Sequence, residues 1–421
     1  DWGIGVKSLP EDSMDVIVLG SSHAQYSFNP TFFYQDTGTY SFVLGSACQP
    51  LEVSYEMLKE ALKTQSPQVV ILEVYTALPL RCICEADSSY IIAQYQMRDE
   101  EKYNTINFLP EEKAKTYYNE FLVYHNQWKY MTSLEDLKPS ESLIEDISKI
   151  NQSFGYIYLE QTKIDNSWYA EIHNSDLDVE LDETDQLALN QIYELCKQEG
   201  IELFLYKTPI DSMDDENQSY LKKVWKWAEE KGVPYIDFFE ESESLGYKMW
   251  IHSDSYHAYI NGAEIITNTI AESINELYDL SHTSNELLEE LYVDRGISDI
   301  FAYAKIEEDN HRLLKRLEKY DGEIMIYYKS VNNLPSWVRD SLTEITSGNF
   351  DETNNYFAII ENGEVIYESS ESIEMSYNDK VISFTEDTCV VSDEVITNDS
   401  LAIILFNSTG DKIAITDLLD E

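Results

Sequence analysis

Short apolar runs alternate with amphipathic segments along the first 280 residues. Five runs are rich in β-branched or aromatic residues and have the length of buried strands, at residues 15–20, 40–44, 68–74, 201–206 and 234–239. Four segments carry apolar residues at helical spacing, at residues 51–63, 182–199, 217–231 and 262–278. This alternation predicts an α/β fold with a parallel five-stranded sheet between helices, joined by right-handed crossovers.

The alternation stops between residues 76 and 180. That stretch is rich in Tyr and acidic residues, and it predicts a helical and irregular insertion near the carboxyl edge of the sheet, with a helix over 111–131.

A Glu-rich linker is predicted after the end of the α/β domain, at residues 281–296. Beyond it, short strand-like runs and a helical pattern at 335–346 predict a smaller α+β domain over 297–421. The α/β domain therefore spans residues 1–280.

Charge narrows the choice of partners. The 421 residues include 79 acidic and 29 basic side chains, for a formal net charge of -50. A field of that sign repels nucleic acid and anionic membrane surfaces, so neither is expected as a direct partner. The five cysteines form no disulfide framework and no paired zinc motif. No run of eighteen or more apolar residues is present.

Candidate chemistry begins where the first apolar run ends, in the sequence VIVLGSSHA at 16–24. Gly20 allows a tight turn, and Ser22 then lies at the carboxyl edge of the sheet, where open α/β folds bind ligands. Backbone amides just past a strand can point at an anion such as the oxyanion of acyl transfer. Ser22 is therefore the candidate nucleophile, and the alternative is a serine-rich loop that only caps the next helix.

A second candidate group lies just before the last amphipathic segment. Asp254 and His257 are three residues apart, so both face one side of a helix-like turn, and the carboxylate can orient the imidazole as it takes a proton from a serine. A metal site of His252, Asp254 and His257 is the alternative. Two imidazoles and a carboxylate within six residues are sterically awkward on one loop, so the sequence predicts no metal and no cofactor.

Together the two stretches resemble the SGNH/GDSL hydrolase superfamily over roughly residues 13–280. The variant LGSSHA at 19–24, followed by Asn-Pro and by LGSACQP at 44–50, resembles the branch related to DltD and the alginate acetylation proteins. The resemblance implies an SGNH-type three-layer fold in which Ser22 is the nucleophile, His257 the base and Asp254 its orienting partner.

The resemblance also implies an oxyanion hole that includes the amides of Ser22 and Gly45. No Gly-x-Asn-Asp block is present, so the side-chain donor of typical members has no obvious counterpart, and Gln49 is the substitute candidate. Glu73 in the third run is either a satisfied interior carboxylate, which we favour, or a residue of the site edge. Four further residues are candidates for the substrate groove, with packing or a solvated loop as the alternative: His23, His125, Trp128 and Lys207.

The function implied by the resemblance is a serine esterase or O-acyltransferase acting on acyl esters of a cell-envelope polysaccharide or related polymer. Such relatives work outside the membrane, tethered by an N-terminal membrane helix that this sequence does not contain, and serve a membrane-bound O-acyltransferase. The alternative is an inactive protein of the same fold that binds glycan or assists that acyltransferase. The C-terminal region weakly resembles interleukin-like EMT-inducer domains and is expected to be an accessory domain that binds glycan or a partner.

Overall fold

In the computed structural model the chain forms two compact units, Asp1–Ser284 and Asn285–Glu421. The boundaries predicted from the sequence, at 280 and 297, stay a prediction. The structure describes residues 6, 9–77, 99–107, 153–159, 177–210, 213–245, 257–304, 323–329, 355–361, 363–385, 388–392, 394–396, 401–406 and 412–417, together with residues 111, 114, 115, 118, 316, 343 and 346.

The first unit is built on a five-stranded sheet whose paired strands are all parallel, in the order β2-β1-β3-β4-β5. The strands are β1 Val16–Gly20, β2 Ser41–Gly45, β3 Val69–Glu73, β4 Glu202–Lys207 and β5 Tyr235–Asp237. The predicted α/β fold with a parallel five-stranded sheet is confirmed. In this strand order the chain reverses direction across the sheet between β1 and β3, and ligands of such folds bind beyond the carboxyl ends of the strands at that point.

Helices flank this sheet. The helices whose bounds the structure describes in the first unit are α1 Ser22–Ser27, α2 Pro30–Thr37, α3 Leu51–Ala61, α4 Asp99–Asn107, α5 Glu183–Glu199, α6 Asp215–Lys231 and α7 Ile260–Leu277. Helix α7 contacts α1 and α2, and its isoleucines pack in one buried cluster with Val16 and Val18 of β1. Helix α3 contacts α5 and β1. Because residues alternate across a strand and β1 to β3 are buried at every position, their sequences are continuous apolar runs.

The connection between β1 and β2 contains a helix that the apolar spacing did not predict. Helix α2 occupies Pro30–Thr37 within this polar and aromatic stretch. Asn29 caps this helix, since its side chain accepts hydrogen bonds from the amides of Thr31 and Phe32, and Pro30 occupies the first turn. Adjacent aromatic residues in the helix hide its period, whereas the Asn-Pro pair was a usable start signal.

Part of the predicted insertion is described. It contains α4, and residues 153–156 lie along the free edge of β2, where the Val43 amide donates to the Phe154 carbonyl at 2.8 Å. The predicted helices over 111–131 and 335–346 lie almost wholly outside the described residues.

The second unit begins with α8 Glu286–Ala304, and the strands described after it form two antiparallel sheets. One sheet has the order β14-β13-β6-β7-β8 and the other β12-β11-β10-β9. The strands are β6 Glu323–Lys329, β7 Asn355–Glu361, β8 Glu364–Ser369, β9 Ile373–Tyr377, β10 Lys380–Phe384, β11 Cys389–Val391, β12 Glu394–Ile396, β13 Leu401–Phe406 and β14 Lys412–Asp417. Met325, Tyr327 and Phe357 from one sheet and Ile382 and Phe384 from the other form a shared core. No described helix of either unit combines the length and apolar composition that a membrane crossing requires.

Candidate active site

The turn after β1 places Ser22 at the carboxyl edge of the sheet. Gly20 has φ 154°, and a Cβ added there would lie 2.7 Å from the Cβ of Glu73 and 2.9 Å from that of Ala24, so a side chain does not fit. Ser21 caps α1, because its hydroxyl accepts a hydrogen bond from the His23 amide at 3.2 Å. Ser22 is the first residue of α1 and is only partly buried.

His257 reaches the same point from the other end of the unit. It lies just before α7, and its Nε2 is 2.9 Å from the Oγ of Ser22, across 235 residues of sequence. The ring of Tyr26 packs against the imidazole, with centroids 4.6 Å apart. A hydroxyl within hydrogen-bond distance of an imidazole nitrogen is the arrangement that an activated serine requires. Asp254, the predicted orienting partner, lies outside the described residues.

The predicted oxyanion residues differ in their surroundings. A Cβ on Gly45 would be 2.7 Å from the Cγ of Gln25 and 3.0 Å from the carbonyl of Ser21, so the end of β2 lies directly against the nucleophile turn. Gln49 is fully buried, and its amide nitrogen donates to the Leu44 carbonyl at 3.2 Å and to the Ser54 hydroxyl at 2.9 Å. Both hydrogens of that amide are thereby used by acceptors in β2 and α3, which argues against an oxyanion role for Gln49 in this conformation.

His23, a candidate for the substrate groove, is buried. Its ring stacks on Tyr75 with centroids 3.7 Å apart, and its Nδ1 is 2.7 Å from the Thr208 hydroxyl. The ring centroid is 5.4 Å from that of His257. A second imidazole is therefore held beside the candidate base. His125 and Trp128 lie outside the described residues.

Lys207 is fully buried at the end of β4, so the alternative of a solvated loop lysine is wrong. Its amine donates to the Thr208 carbonyl and lies 5.0 Å from the centre of the Tyr75 ring. Burial lowers the pKa of this amine, and the neighbouring carboxyls of Glu73 and Asp237 oppose that shift.

Sequence reasoning missed two residues that the structure places here, Tyr75 and Thr208. It named Glu73 but favoured an interior role. Glu73 is fully buried at the end of β3, and it accepts hydrogen bonds from the Tyr75 amide, the Thr208 amide and hydroxyl, and the Ser21 hydroxyl. These residues follow or end β1, β3 and β4, so their position at strand ends was the available signal. Among the described residues no three His, Cys, Asp or Glu side chains are grouped to hold a metal.

Comparison with known proteins leaves the family open. No family model matches the chain, and no curated protein matches it in sequence. Among the solved structures that are similar to it at low identity are two from Bacteroides species. One is described as a candidate acylhydrolase of Bacteroides fragilis, with 12% identity, 64% of this chain and 92% of that chain covered, and a TM-score of 0.32. The other is a GDSL-like lipase of Bacteroides thetaiotaomicron, with 10% identity, 65% and 95% covered, and a TM-score of 0.33. At these values neither structure carries an argument about activity.

Proposed function

We propose that the first unit is a serine esterase or acyltransferase. The observation that carries the proposal is the 2.9 Å approach of Ser22 Oγ and His257 Nε2 at the carboxyl edge of the parallel sheet. In a doubly wound sheet this edge binds ligands, and a partly exposed serine beside an imidazole is suited to attack an acyl carbon.

The reaction follows from these two side chains. His257 Nε2 takes the proton of Ser22 as the Oγ bonds to the carbonyl carbon of an ester, and the carbonyl oxygen becomes an oxyanion. Collapse of this intermediate breaks the bond to the alcohol, which leaves with the proton from His257 and gives an acyl-serine. Water or a sugar hydroxyl then attacks the acyl-serine by the same route and restores the serine.

The oxyanion is best assigned to backbone amides. Those of Ser22 and Gly45 are the proposed donors, since Gln49 donates both amide hydrogens to Leu44 and Ser54. Asp254 is the proposed orienting carboxylate, on the strength of its spacing from His257.

The proposed substrate is an O-acylated polysaccharide or related cell-envelope polymer. The net charge of -50 favours a weakly charged polymer over an anionic one. A location outside the cell and cooperation with a membrane-bound O-acyltransferase belong to the same proposal. They rest on the resemblance of the two sequence blocks.

The test is turnover of p-nitrophenyl acetate together with labelling by a fluorophosphonate. We expect Ser22→Ala to abolish labelling, and Ser22→Ala and His257→Ala to lower kcat by about a thousandfold or more. Ser27→Ala is the control, because Ser27 ends the same helix and its hydroxyl contacts Tyr206 instead. A folded parent protein that is neither labelled nor active would overturn the proposal in favour of a binding protein.

A further inference from the structure

The carboxyl group of Glu73 lies among the ends of three strands at the proposed site. Oε1 accepts from the Tyr75 amide at 3.1 Å, the Thr208 amide at 3.4 Å and the Thr208 hydroxyl at 3.2 Å. Oε2 accepts from the Ser21 hydroxyl at 3.4 Å. The side chain is fully buried, and Ser21 and Thr208 are buried with it.

We propose that Glu73 is a positioning residue of the site, which orders the nucleophile turn through Ser21 and the ring of His23 through Thr208. This inference rests on the proposed role of Ser22 as the nucleophile. It assigns Glu73 no contact with substrate.

The first link passes through Ser21. The Ser21 hydroxyl donates to Glu73 and accepts from the His23 amide, so Glu73 sets the direction of the oxygen that caps the first turn of α1. Ser22 is the next residue in that turn. A displacement of about 1 Å at a reacting group can lower a rate roughly 100-fold, so the placement of this cap bears on the approach of Ser22 to His257.

The second link passes through Thr208. A threonine hydroxyl has one hydrogen, and we assign it to the bond with Glu73, because an ionised carboxylate can only accept. The 2.7 Å contact between the Thr208 hydroxyl and Nδ1 of His23 then needs its hydrogen from the imidazole. With the hydrogens assigned in this way, Nδ1 of His23 carries a proton, and stacking on Tyr75 holds the ring plane. Through this chain of two hydrogen bonds, Glu73 determines which nitrogen of His23 is protonated.

The charges around Glu73 suit this role. Two of its four contacts are backbone amides, which can only donate, and an ionised carboxylate can accept from both amides and from both hydroxyls at once. Burial raises the pKa of Glu73, while the charge of Lys207 and the bonds from Tyr75 and Thr208 oppose that rise. Tyr206, Tyr235, Asp237 and Glu240 are further titratable groups that interact electrostatically with members of this cluster.

A purely structural carboxylate supplies the matched control. Asp15 is buried at the amino end of the same sheet, where it accepts from the Tyr40 amide at 2.9 Å, the Thr283 hydroxyl at 2.7 Å and the Gln68 side chain at 3.3 Å. Asp15→Asn therefore disturbs a comparable set of hydrogen bonds at the edge of the sheet opposite Ser22.

The experiment compares the parent with Glu73→Gln, Thr208→Val, Asp15→Asn and Ser22→Ala in the full chain. We measure the rate of Ser22 labelling by a fluorophosphonate, kcat and KM for p-nitrophenyl acetate, and the ring-nitrogen NMR signals of His23. For Glu73→Gln we expect labelling and kcat to fall roughly tenfold to 100-fold with little change in KM. Asp15→Asn should label at the parent rate. Thr208→Val preserves side-chain shape and should shift the Nδ1 signal of His23 away from the protonated form.

The outcomes separate the two proposals. If the parent protein is not labelled, the proposed role of Ser22 as the nucleophile is wrong. The NMR signal of His23 Nδ1 then tests by itself whether Glu73 orders the His23 ring. A Nδ1 signal that is the same in the parent, Glu73→Gln and Thr208→Val would overturn the link through Thr208. A labelled parent with equal rates for Glu73→Gln and Asp15→Asn would overturn the positioning role. If Glu73→Gln does not fold, Thr208→Val carries the test.

Discussion

Three ionisable side chains lie at the carboxyl edge of the first sheet, where Glu73 and Lys207 are fully buried and Asp237 is partly buried. The charges of Glu73 and Asp237 both act on the Lys207 amine. Buried charges are tolerated when they are paired and hydrogen-bonded, and removal of one partner leaves the others uncompensated. The protonation states of Glu73 and Asp237 are therefore each tied to that of Lys207.

The carboxyl group of Asp237 should make the free energy of unfolding depend on pH. Burial is the main cause that raises the pKa of its carboxyl from 3.8 to about 6. The folded state thus holds this proton more tightly than the unfolded state, so the contribution to stability is complete below about pH 4 and is lost as pH rises through about 6. Between about pH 5 and about pH 7.5 the parent should lose about 1 kcal/mol of unfolding free energy more than Asp237→Asn does.

Urea denaturation at the two pH values measures this difference. Asparagine retains the oxygen that accepts from the amides of Phe239 and Glu240, so the variant keeps the turn after β5. Equal pH dependence in parent and variant would contradict the prediction.

Among individual site residues, the sequence predicted those that belong to a recognisable motif and missed those that do not. Ser22 and His257 were predicted, and the structure brings their side chains together across the unit. Thr208 follows a strand but belongs to no pattern, so only the folded sheet shows its contact with His23. Gln49 was chosen for its chemistry, which could not show that its hydrogens were already used.

Among the elements, burial decides which could be predicted. Strands β1 to β3 are buried on both faces and left unbroken apolar runs in the sequence. Helix α1 has six residues, and β11 and β12 have three each, too few to show a period. The pairing of residues 153–156 with β2 joins segments over 100 residues apart, which no local pattern indicates.

That pairing depends on Gly155. Its φ is 85°, and a Cβ added there would lie 2.0 Å from the Val43 carbonyl oxygen. Gly38 ends α2 with φ 71° and has no atom within 4 Å of such a Cβ. Gly38→Ala should cost about 1 kcal/mol for the left-handed backbone alone. Gly155→Ala should cost at least about 3 kcal/mol, since a backbone must also move.

Denaturant midpoints of the two variants test this contrast, provided that both show the slope of the parent protein. Gly38→Ala controls for the backbone conformation, so the excess loss in Gly155→Ala reports the contact with β2. Similar losses in the two variants would mean that residues 153–156 do not hold the edge of β2.

For the whole molecule, the proposed chemistry is confined to one unit. The unit Asp1–Ser284 contains all four residues of the proposed site, Ser22, Glu73, Thr208 and His257. The hydrophobic cluster that joins β1 of the parallel sheet to α7 is formed by residues between 16 and 280 of the same unit. The segment after α7 is bound back to the amino end of that sheet, where Ser281 contacts Gln68 at 2.8 Å and Thr283 contacts Asp15 at 2.7 Å. The second unit has its own core between two sheets.

A chain that ends at Ser284 should therefore fold and label at Ser22 as fast as the full chain, because it keeps the bonds of Ser281 and Thr283. The proposed accessory role of the second unit makes a further distinction. The shortened chain should hydrolyse p-nitrophenyl acetate at the full rate but release less acetate from an acetylated polysaccharide, since a small ester needs no polymer-binding surface. Acetate release by both chains, normalised to Ser22 labelling, measures this. Equal rates on the polymer would assign its recognition to the first unit, whereas slow labelling by a folded short chain would show that the second unit acts on the site itself.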